Sequence, residues 1–201
     1  MERTINASKC GLGLLAVGGM LELVLAAGCA PQTSMPQGVQ VFFSPGGGAT
    51  EAVVNALGHA TNSVLVQAYS FTSAPIAGAL VEALRRGVRV QVILDKSQRT
   101  EKYSEADFLQ HEGVPTLIDE QHAIAHNKIM IIDEYLVLTG SFNFTKAAEE
   151  NNAENLLVIN DAALARRYLD NWRVHERHSE PYEREPKGEA HPARSKRKVM
   201  D

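Results

Sequence analysis

Short apolar runs alternate with amphipathic segments along most of this chain. Residues 129–132 are apolar throughout and residues 88–94 are rich in β-branched side chains, as in strands that are covered on both faces. Residues 50–60 and 73–86 instead space their apolar side chains at helical intervals, and Gly87 follows the second segment as a helix-ending residue. The alternation predicts an α/β fold, with a mixed, largely parallel sheet sandwiched between helices.

The same patterns divide the chain into four parts. Residues 39–178 contain the periodic segments and are predicted to form one folded domain, preceded by a leader over residues 1–30. Residues 31–38 contain Pro, Gln and Ser and are predicted to be a linker, while residues 179–201 are polar and aperiodic and are predicted to be disordered. The remaining predicted strands are 39–43, 63–69, 116–118, 136–138 and 156–159, and the remaining helices are 104–111, a short one from Thr145, and 162–176.

The first thirty residues have the layout of a bacterial export signal. Arg3 and Lys9 precede an apolar stretch that Glu22 interrupts, and small residues surround Cys29. This basic, apolar and then small order predicts an exported, periplasmic protein. The residues before Cys29 resemble a lipoprotein processing box, so a lipid on Cys29 that tethers the protein to a membrane is a second prediction. A retained N-terminal helix is the alternative.

Charge and cysteine content limit the classes of function. The formal net charge is −4, and residues 31–176 carry 11 Lys and Arg against 17 Asp and Glu. The overall field therefore repels phosphate, and a nucleic-acid function requires a local positive site. Cys10 and Cys29 both lie in the first thirty residues, which excludes a disulfide or a cysteine-based zinc site within the predicted domain.

The most informative pattern begins at His126. Lys128 lies two residues further, Asp133 follows after four more residues, and Ser141 and Asn143 complete the pattern. Residues two apart on an extended strand point the same way, so His126 and Lys128 present an imidazole and an ammonium to one site. The apolar run after Lys128 anchors these polar groups to a rigid core strand.

This set of side chains suits the chemistry of a phosphodiester. The transition state spreads negative charge over the non-bridging oxygens, where Lys128 and Asn143 stabilise it. A neutral imidazole attacks phosphorus and so splits one difficult step into two. A histidine also protonates the leaving oxygen near neutral pH. The chemistry requires neither a metal ion nor another cofactor.

The pattern resembles the HKD motif of the phospholipase D superfamily at every defining position. Tyr69-Ser70-Phe71, residues 140–148 and Glu154-Asn155 further resemble the small, single-motif bacterial endonucleases of the Nuc type. The resemblance extends over about residues 39–176. It implies a phospholipase D/nuclease-like fold and a phosphodiester hydrolase whose catalytic domain covers residues 39–178.

The resemblance also implies how such an enzyme is assembled. Two HKD motifs face each other, and one histidine attacks phosphorus to form a phosphohistidine while the other serves as acid and then as base. This chain contains a single H-x-K, so the resemblance implies a homodimer with His126 from each subunit at the two-fold interface.

Roles for the other motif residues follow from the same resemblance. Lys128, Ser141 and Asn143 are expected to bind the substrate phosphate. Glu154 is expected to hold the far nitrogen of the imidazole and to set its tautomer. Asp133 belongs to the motif and is expected to act structurally in its turn.

Three functions remain open at this point. The first is a metal-independent endonuclease that cuts DNA or RNA with little sequence preference. The second is a phospholipase D acting on phosphatidyl lipids, which export and lipidation would favour. The third is a dimeric nucleic-acid-binding protein that has lost catalysis, against which the intact motif argues. His122 and His126 would bind zinc on one face of a helix, but this segment is predicted to be loop and strand, so no metal site is predicted.

Overall fold

One eight-stranded sheet forms the centre of the computed structural model, which describes residues 38–183. The strands are β1 (Gly38–Ser44), β2 (Ser63–Ala68), β3 (Arg89–Asp95), β4 (Thr116–Asp119), β5 (Lys128–Ile132), β6 (Leu136–Gly140), β7 (Glu154–Asn160) and β8 (Glu180–Pro181). The helices are α1 (Ala49–Gly58), α2 (Ala74–Arg85), α3 (Ala106–His111), α4 (Lys146–Glu150) and α5 (Ala162–Glu176). The strands lie in the order β1-β7-β6-β5-β2-β3-β4-β8.

The predicted α/β class, with one mixed sheet between helices, is confirmed. The expectation of largely parallel pairing was wrong. Within residues 38–183, parallel pairing is confined to β2–β3 and β3–β4, and the other five neighbouring pairs are antiparallel. Part of the reason is the connection from β5 to β6, which is a short turn and therefore permits only antiparallel pairing.

Each face of the sheet has its own hydrophobic core, and β5 contributes to both. Met130 and Ile132 pack with α1 and α2 on one face, while Ile129 and Ile131 pack with α5 on the other. Trp172 of α5 is 1% exposed, and its Nε1 donates a hydrogen bond of 3.0 Å to a carbonyl of β2. The apolar run that predicted β5 is therefore explained by burial on both sides.

The folded part of the chain extends past its predicted boundary at His178. β8 pairs antiparallel with β4, and Tyr182 is buried with its hydroxyl 2.9 Å from Asp107 Oδ1. The predicted start of the disordered tail at residue 179 is therefore corrected. Residues 184–201 of that tail lie outside the described residues. The leader with Cys29 and residues 31–37 of the linker also lie outside them. No helix within residues 38–183 is long and apolar enough to cross a membrane.

An acidic side chain holds the turn between β5 and β6. Asp133 and Glu134 have φ angles of 52° and 60°, a left-handed conformation that Asp tolerates better than most residues. Asp133 Oδ1 accepts from the backbone of Asn62 and Ser63 at 2.7 and 2.8 Å, and Oδ2 accepts from N and Oγ1 of Thr61, both at 2.9 Å. Burial acts to raise the pKa of Asp133, but these hydrogen bonds outweigh it and hold the pKa below its ordinary value.

Replacing Asp133 with Asn is expected to lower the free energy of unfolding by about 2 kcal/mol at neutral pH, because hydrogen bonds to a charged acceptor are lost. The folded pKa lies below the unfolded one, so the carboxylate stabilises the fold above the unfolded pKa of about 4, and this stability is lost as pH falls through the folded pKa. Urea unfolding at several pH values will show the difference from wild type shrinking below that point.

Asp161→Asn is the matched control for this prediction. Asp161 caps α5 by accepting from the backbone of Ala163 and Leu164, and Asn caps a helix about as well as Asp. The control should therefore change the unfolding free energy little. Equal losses in the two variants, or a loss at Asp133 that does not vary with pH, would contradict the account of this turn.

Candidate active site

Predicted site residues from three strands meet at one end of the sheet. β5 begins there with Lys128, β7 begins there with Glu154, and β6 ends there at Gly140. In the register of the sheet, Lys128 lies opposite Ala68, the last residue of β2. Because β5 is antiparallel to both β2 and β6, the start of β5 lies beside the chain that leaves each of them.

His126 and Lys128 contact the same aromatic ring. The imidazole of His126 is exposed just before β5, and its centroid lies 4.6 Å from that of Tyr69. Lys128 is 6% exposed, its Nζ donates to the carbonyl of His126 at 2.8 Å, and the same Nζ lies 5.0 Å from the Tyr69 centroid. The structure thus brings the two predicted side chains together around Tyr69, to which sequence analysis gave no role in the site.

Two opposing effects act on the pKa of Lys128. Burial lowers the pKa of Lys128, and Glu154 acts in the opposite direction. Glu154 Oε1 accepts from Asn152 Nδ2 at 3.1 Å. Among residues 38–183 no hydrogen bond joins Glu154 to the ring of His126, so that contact stays a prediction. In this single chain Glu154 acts electrostatically on the ammonium.

A close approach between β6 and β7 fixes the loop that carries Ser141 and Asn143. A Cβ at Gly140 would lie 2.2 Å from the carbonyl oxygen of Asn155. Ser141 Oγ accepts from the backbone N and the Nδ2 of Asn155 at 3.1 and 3.3 Å, so its own hydrogen remains able to donate to a ligand. Asn143 is half-buried, and its Oδ1 has no hydrogen-bond partner within the described residues.

Two buried aromatic residues anchor the same loop. Phe142 and Phe144 alternate with Ser141 and Asn143 and are both 0% exposed. Phe144 forms a bridge with Phe71, and its carbonyl accepts from the two backbone N–H groups that follow Phe71 by one and two residues, both at 3.0 Å. The loops after β2 and β6 are therefore joined, and the two polar side chains sit on a supported backbone.

The segment that carries His126 is held on both sides. Asp95 ends β3, is 2% exposed, and accepts from the backbone N of Ala125 at 2.7 Å. On the other side, Asn127 Nδ2 donates to Gln67 Oε1 at 2.9 Å. Sequence analysis did not select Asp95, although an acidic residue at the end of a buried apolar strand was a signal for such a role.

Asp133 is the motif residue that the structure separates from the others. It follows the far end of β5, five residues after Lys128, which corresponds to about 17 Å along a strand. Its carboxylate is bound to the backbone before β2. In this structure Asp133 fixes the end of β5, and it does not contact the side chains around Tyr69.

The four side chains at this end of the sheet, those of His126, Lys128, Ser141 and Asn143, can each contribute to phosphodiester chemistry. An exposed imidazole is available as a nucleophile or base, a buried ammonium supplies positive charge, and a hydroxyl and an amide supply further hydrogen bonds. Such an arrangement stabilises an oxyanion better than water does, because its donors are already oriented. The site is therefore suited to attack on an anionic phosphorus centre.

A family model described as "Cardiolipin synthase, PLD-like domain" matches residues 53–173. The match runs from α1 into α5 and includes the whole H-x-K pattern and the loop after β6. The chain belongs to the phospholipase D superfamily. The side chains gathered at the sheet end therefore lie within the matched domain, and Asp133 lies within it as well.

Relatives within the phospholipase D superfamily have been given different functions. Proteins named "Phospholipase D" from Rickettsia felis and Rickettsia conorii are each 44% identical over 134 residues, covering 67% of this chain and 67% of theirs. The human "Mitochondrial cardiolipin hydrolase" is 29% identical over 151 residues, covering 75% of this chain and 60% of its own length. These relationships make the chain a phosphodiester hydrolase of the superfamily.

Solved structures support the same placement. Nuc from Salmonella typhimurium, described as a phospholipase D family member, is 41% identical with a TM-score of 0.69, and the match covers 72% of this chain and 97% of Nuc. NucT from Helicobacter pylori is 26% identical with a TM-score of 0.66, covering 72% of this chain and 98% of NucT. The phospholipase D-like fold is therefore confirmed, and it is of the Nuc type.

Gly140→Ala is expected to reduce phosphodiester hydrolysis roughly 100-fold, because its methyl group would displace the loop that carries Ser141 and Asn143. Gly78→Ala is the matched control, since a Cβ at Gly78 meets no atom within 4 Å and alanine favours the interior of α2. Initial rates and thermal unfolding should be measured for both. Wild-type activity in Gly140→Ala would show that the close approach to β7 does not position the site.

Proposed function

We propose that this chain is a metal-independent phosphodiesterase that acts through a phosphohistidine at His126 and cuts DNA or RNA without sequence preference. The observation that carries the proposal is the exposed imidazole of His126 held beside the buried ammonium of Lys128. The pair supplies a nucleophile and a local positive charge at the surface of an acidic domain. An acidic domain repels phosphate, so a nucleic acid can bind only where positive charge is concentrated locally, and Lys128 supplies such a charge.

In the proposed first step, a ring nitrogen of His126 attacks phosphorus and the bond to the leaving oxygen breaks. The leaving oxygen takes a proton from a second imidazole, and the phosphoryl group remains on His126. Water then attacks phosphorus and loses its proton to the second imidazole, the P–N bond to His126 breaks, and the product is released. Lys128, Ser141 and Asn143 stabilise the non-bridging oxygens in both steps.

The second imidazole is proposed to come from another chain. Within residues 38–183 the other histidines of the β4–β5 loop and the C-terminal segment, His122, His175 and His178, surround Asp119. We therefore propose a homodimer in which His126 of each subunit faces its counterpart across the two-fold axis. Exposed apolar side chains support pairing: Ile124, two residues before His126, is 57% exposed, and Val41 and Phe43 on edge strand β1 are 49% and 63% exposed.

The extent of the match to Nuc favours a nucleic acid over a lipid as the substrate. The match covers 97% of Nuc at 41% identity, and the sequence resembles the Nuc-type endonucleases at Tyr69 and Glu154-Asn155 as well as in the motif. The exposed position of His126 also leaves room for a continuous polymer to pass over the site.

A phospholipase D activity on phosphatidyl lipids is the second candidate. The relatives named for phospholipase D and cardiolipin hydrolase favour it, and so does the exposed side chain of Ile124 beside His126, which would contact apolar chains at a lipid surface. The export signal proposed for residues 1–30, with a lipid on Cys29 as one form of the mature protein, would bring the enzyme to the periplasm and to a membrane.

The purified chain is expected to cleave plasmid DNA in excess EDTA, and His126→Ala is expected to abolish cleavage because no nucleophile remains. His111→Ala replaces an exposed histidine of α3 and should retain wild-type rates. Cleavage is measured by gel electrophoresis, and vesicles of phosphatidyl lipids are assayed in parallel for head-group release.

The outcomes separate the candidates. Head-group release with intact DNA would replace the nuclease by the lipase. Binding of DNA without turnover would favour a protein that has lost catalysis. Cleavage that fails in EDTA and returns with magnesium would contradict the metal-free mechanism.

A further inference from the structure

Three histidines and one buried aspartate meet on the side of the sheet that faces α5. Asp119 ends β4 and is 0% exposed. Its Oδ2 lies 2.8 Å from Nδ1 of His175, 2.9 Å from Nδ1 of His122 and 3.3 Å from Nε2 of His178. One donor atom from each of the four residues can be chosen so that all lie within 4.8 Å of one another.

We propose that Asp119, His122, His175 and His178 form a structural binding site for one divalent transition-metal ion, with zinc as the ion that fits best. Three imidazoles and one carboxylate are ligand types that zinc accepts in four-coordinate sites. This set lies outside the HKD motif and supplies a function that the motif does not.

The distances suit a tetrahedral ion. With zinc–ligand bonds of about 2.0–2.2 Å, neighbouring ligand atoms in a tetrahedron lie about 3.3–3.5 Å apart. The three nitrogen-to-Oδ2 distances of 2.8, 2.9 and 3.3 Å are at or slightly below this value. Side chains that already converge on one oxygen therefore need only small movements to surround an ion.

The carboxylate is oriented as a metal ligand would be. Asp119 Oδ1 accepts from the backbone N of Gln121 and of His122 at 3.1 and 3.4 Å, which directs Oδ2 toward the three rings. Such hydrogen bonds to the second oxygen are typical of supporting contacts around metal ligands. His178 Nε2, in contrast, is buried and has no hydrogen-bond partner of good geometry within residues 38–183, so a ligand is the missing partner.

Electrostatics favour a cation at this place. The three imidazoles surround the carboxylate of Asp119, a buried acidic group that attracts a cation. His175 also lies in the last turn of α5, where the helix presents the negative end of its dipole. A bound cation satisfies both features.

The site is separate from the phosphodiesterase site. β4 is three strands away from β5 in the sheet, which corresponds to about 14 Å. Asp119 follows Ile118, whose side chain lies in the core that contains α1 and α2, and therefore points to the opposite face. An ion here is too distant to contact a phosphate on His126.

The proposed ion would instead connect three parts of the fold. His122 begins the loop that leads to His126, His175 lies on α5, and His178 precedes β8. The carbonyl of His122 also accepts from Lys96 Nζ at 2.8 Å. Binding would therefore hold the C-terminal segment against β4 and the start of the catalytic loop.

The test uses the chain without a histidine tag, loaded with zinc and then passed into zinc-free buffer. Elemental analysis is expected to give about one zinc ion per chain, and His122→Ala and His178→Ala are each expected to weaken zinc binding at least about tenfold. These two rings are partly exposed, so their removal spares the buried Asp119. His111→Ala, outside the cluster, should bind zinc like wild type.

Thermal unfolding provides a second measurement. EDTA should lower the Tm of wild type and of His111→Ala, and it should leave the Tm of His122→Ala unchanged. Cobalt bound to wild type should show the visible absorption of a tetrahedral site. Equal zinc contents in wild type and His122→Ala, or a wild-type Tm that does not respond to zinc, would overturn the proposal.

This result is independent of the proposed catalysis. His126→Ala should lose phosphodiester cleavage and still bind about one zinc ion per chain, because the two sites share no ligand. A loss of zinc in His126→Ala would contradict the separation of the sites, whereas a zinc-binding chain that cleaves no DNA would contradict only the proposed function.

Discussion

The antiparallel pairing of β5 with both β2 and β6 is the constraint on which the rest of the structure depends. The apolar side chains of β5 are buried on both faces of the sheet. A shift in the register of β5 or a rotation of the strand would therefore expose them. The pairing places Lys128 at one end of the sheet beside Tyr69 and Ser141, and it places Asp133 at the other. The segment from Lys128 to Asp133 thus has the candidate site at one end and a hydrogen-bonded carboxylate at the other.

Lys128 and the histidine cluster around Asp119 lie on opposite faces of the sheet. Lys128 continues the alternation of Met130 and Ile132 and belongs to the face covered by α1 and α2, whereas Asp119 faces α5. The loop from β4 to β5 connects the faces, since it begins near His122 and ends at His126. Asp95 fixes this loop through Ala125, so the loop is the route by which the histidine cluster would affect the catalytic end.

Local patterns predicted the strands, the helices and the motif, because each depends on side-chain periodicity or on fixed spacing within a short segment. The direction of pairing was not encoded locally, so the sheet was expected to be more parallel than it is. Tyr69, Asp95 and the cluster around Asp119 were also missed, since each depends on residues far apart in sequence. His122 was compared with His126, four residues away, while its partners are His175 and His178.

The central claim is that two subunits share one active site through their His126 residues. It is tested most directly by mixing wild type with inactive His126→Ala, unfolding and refolding the mixture together, and measuring cleavage as a function of the wild-type fraction. A shared site requires two wild-type subunits, so an equal mixture should retain about one quarter of the wild-type activity. Activity in direct proportion to the wild-type fraction, about one half in the same mixture, would mean that each chain works alone and would contradict the account.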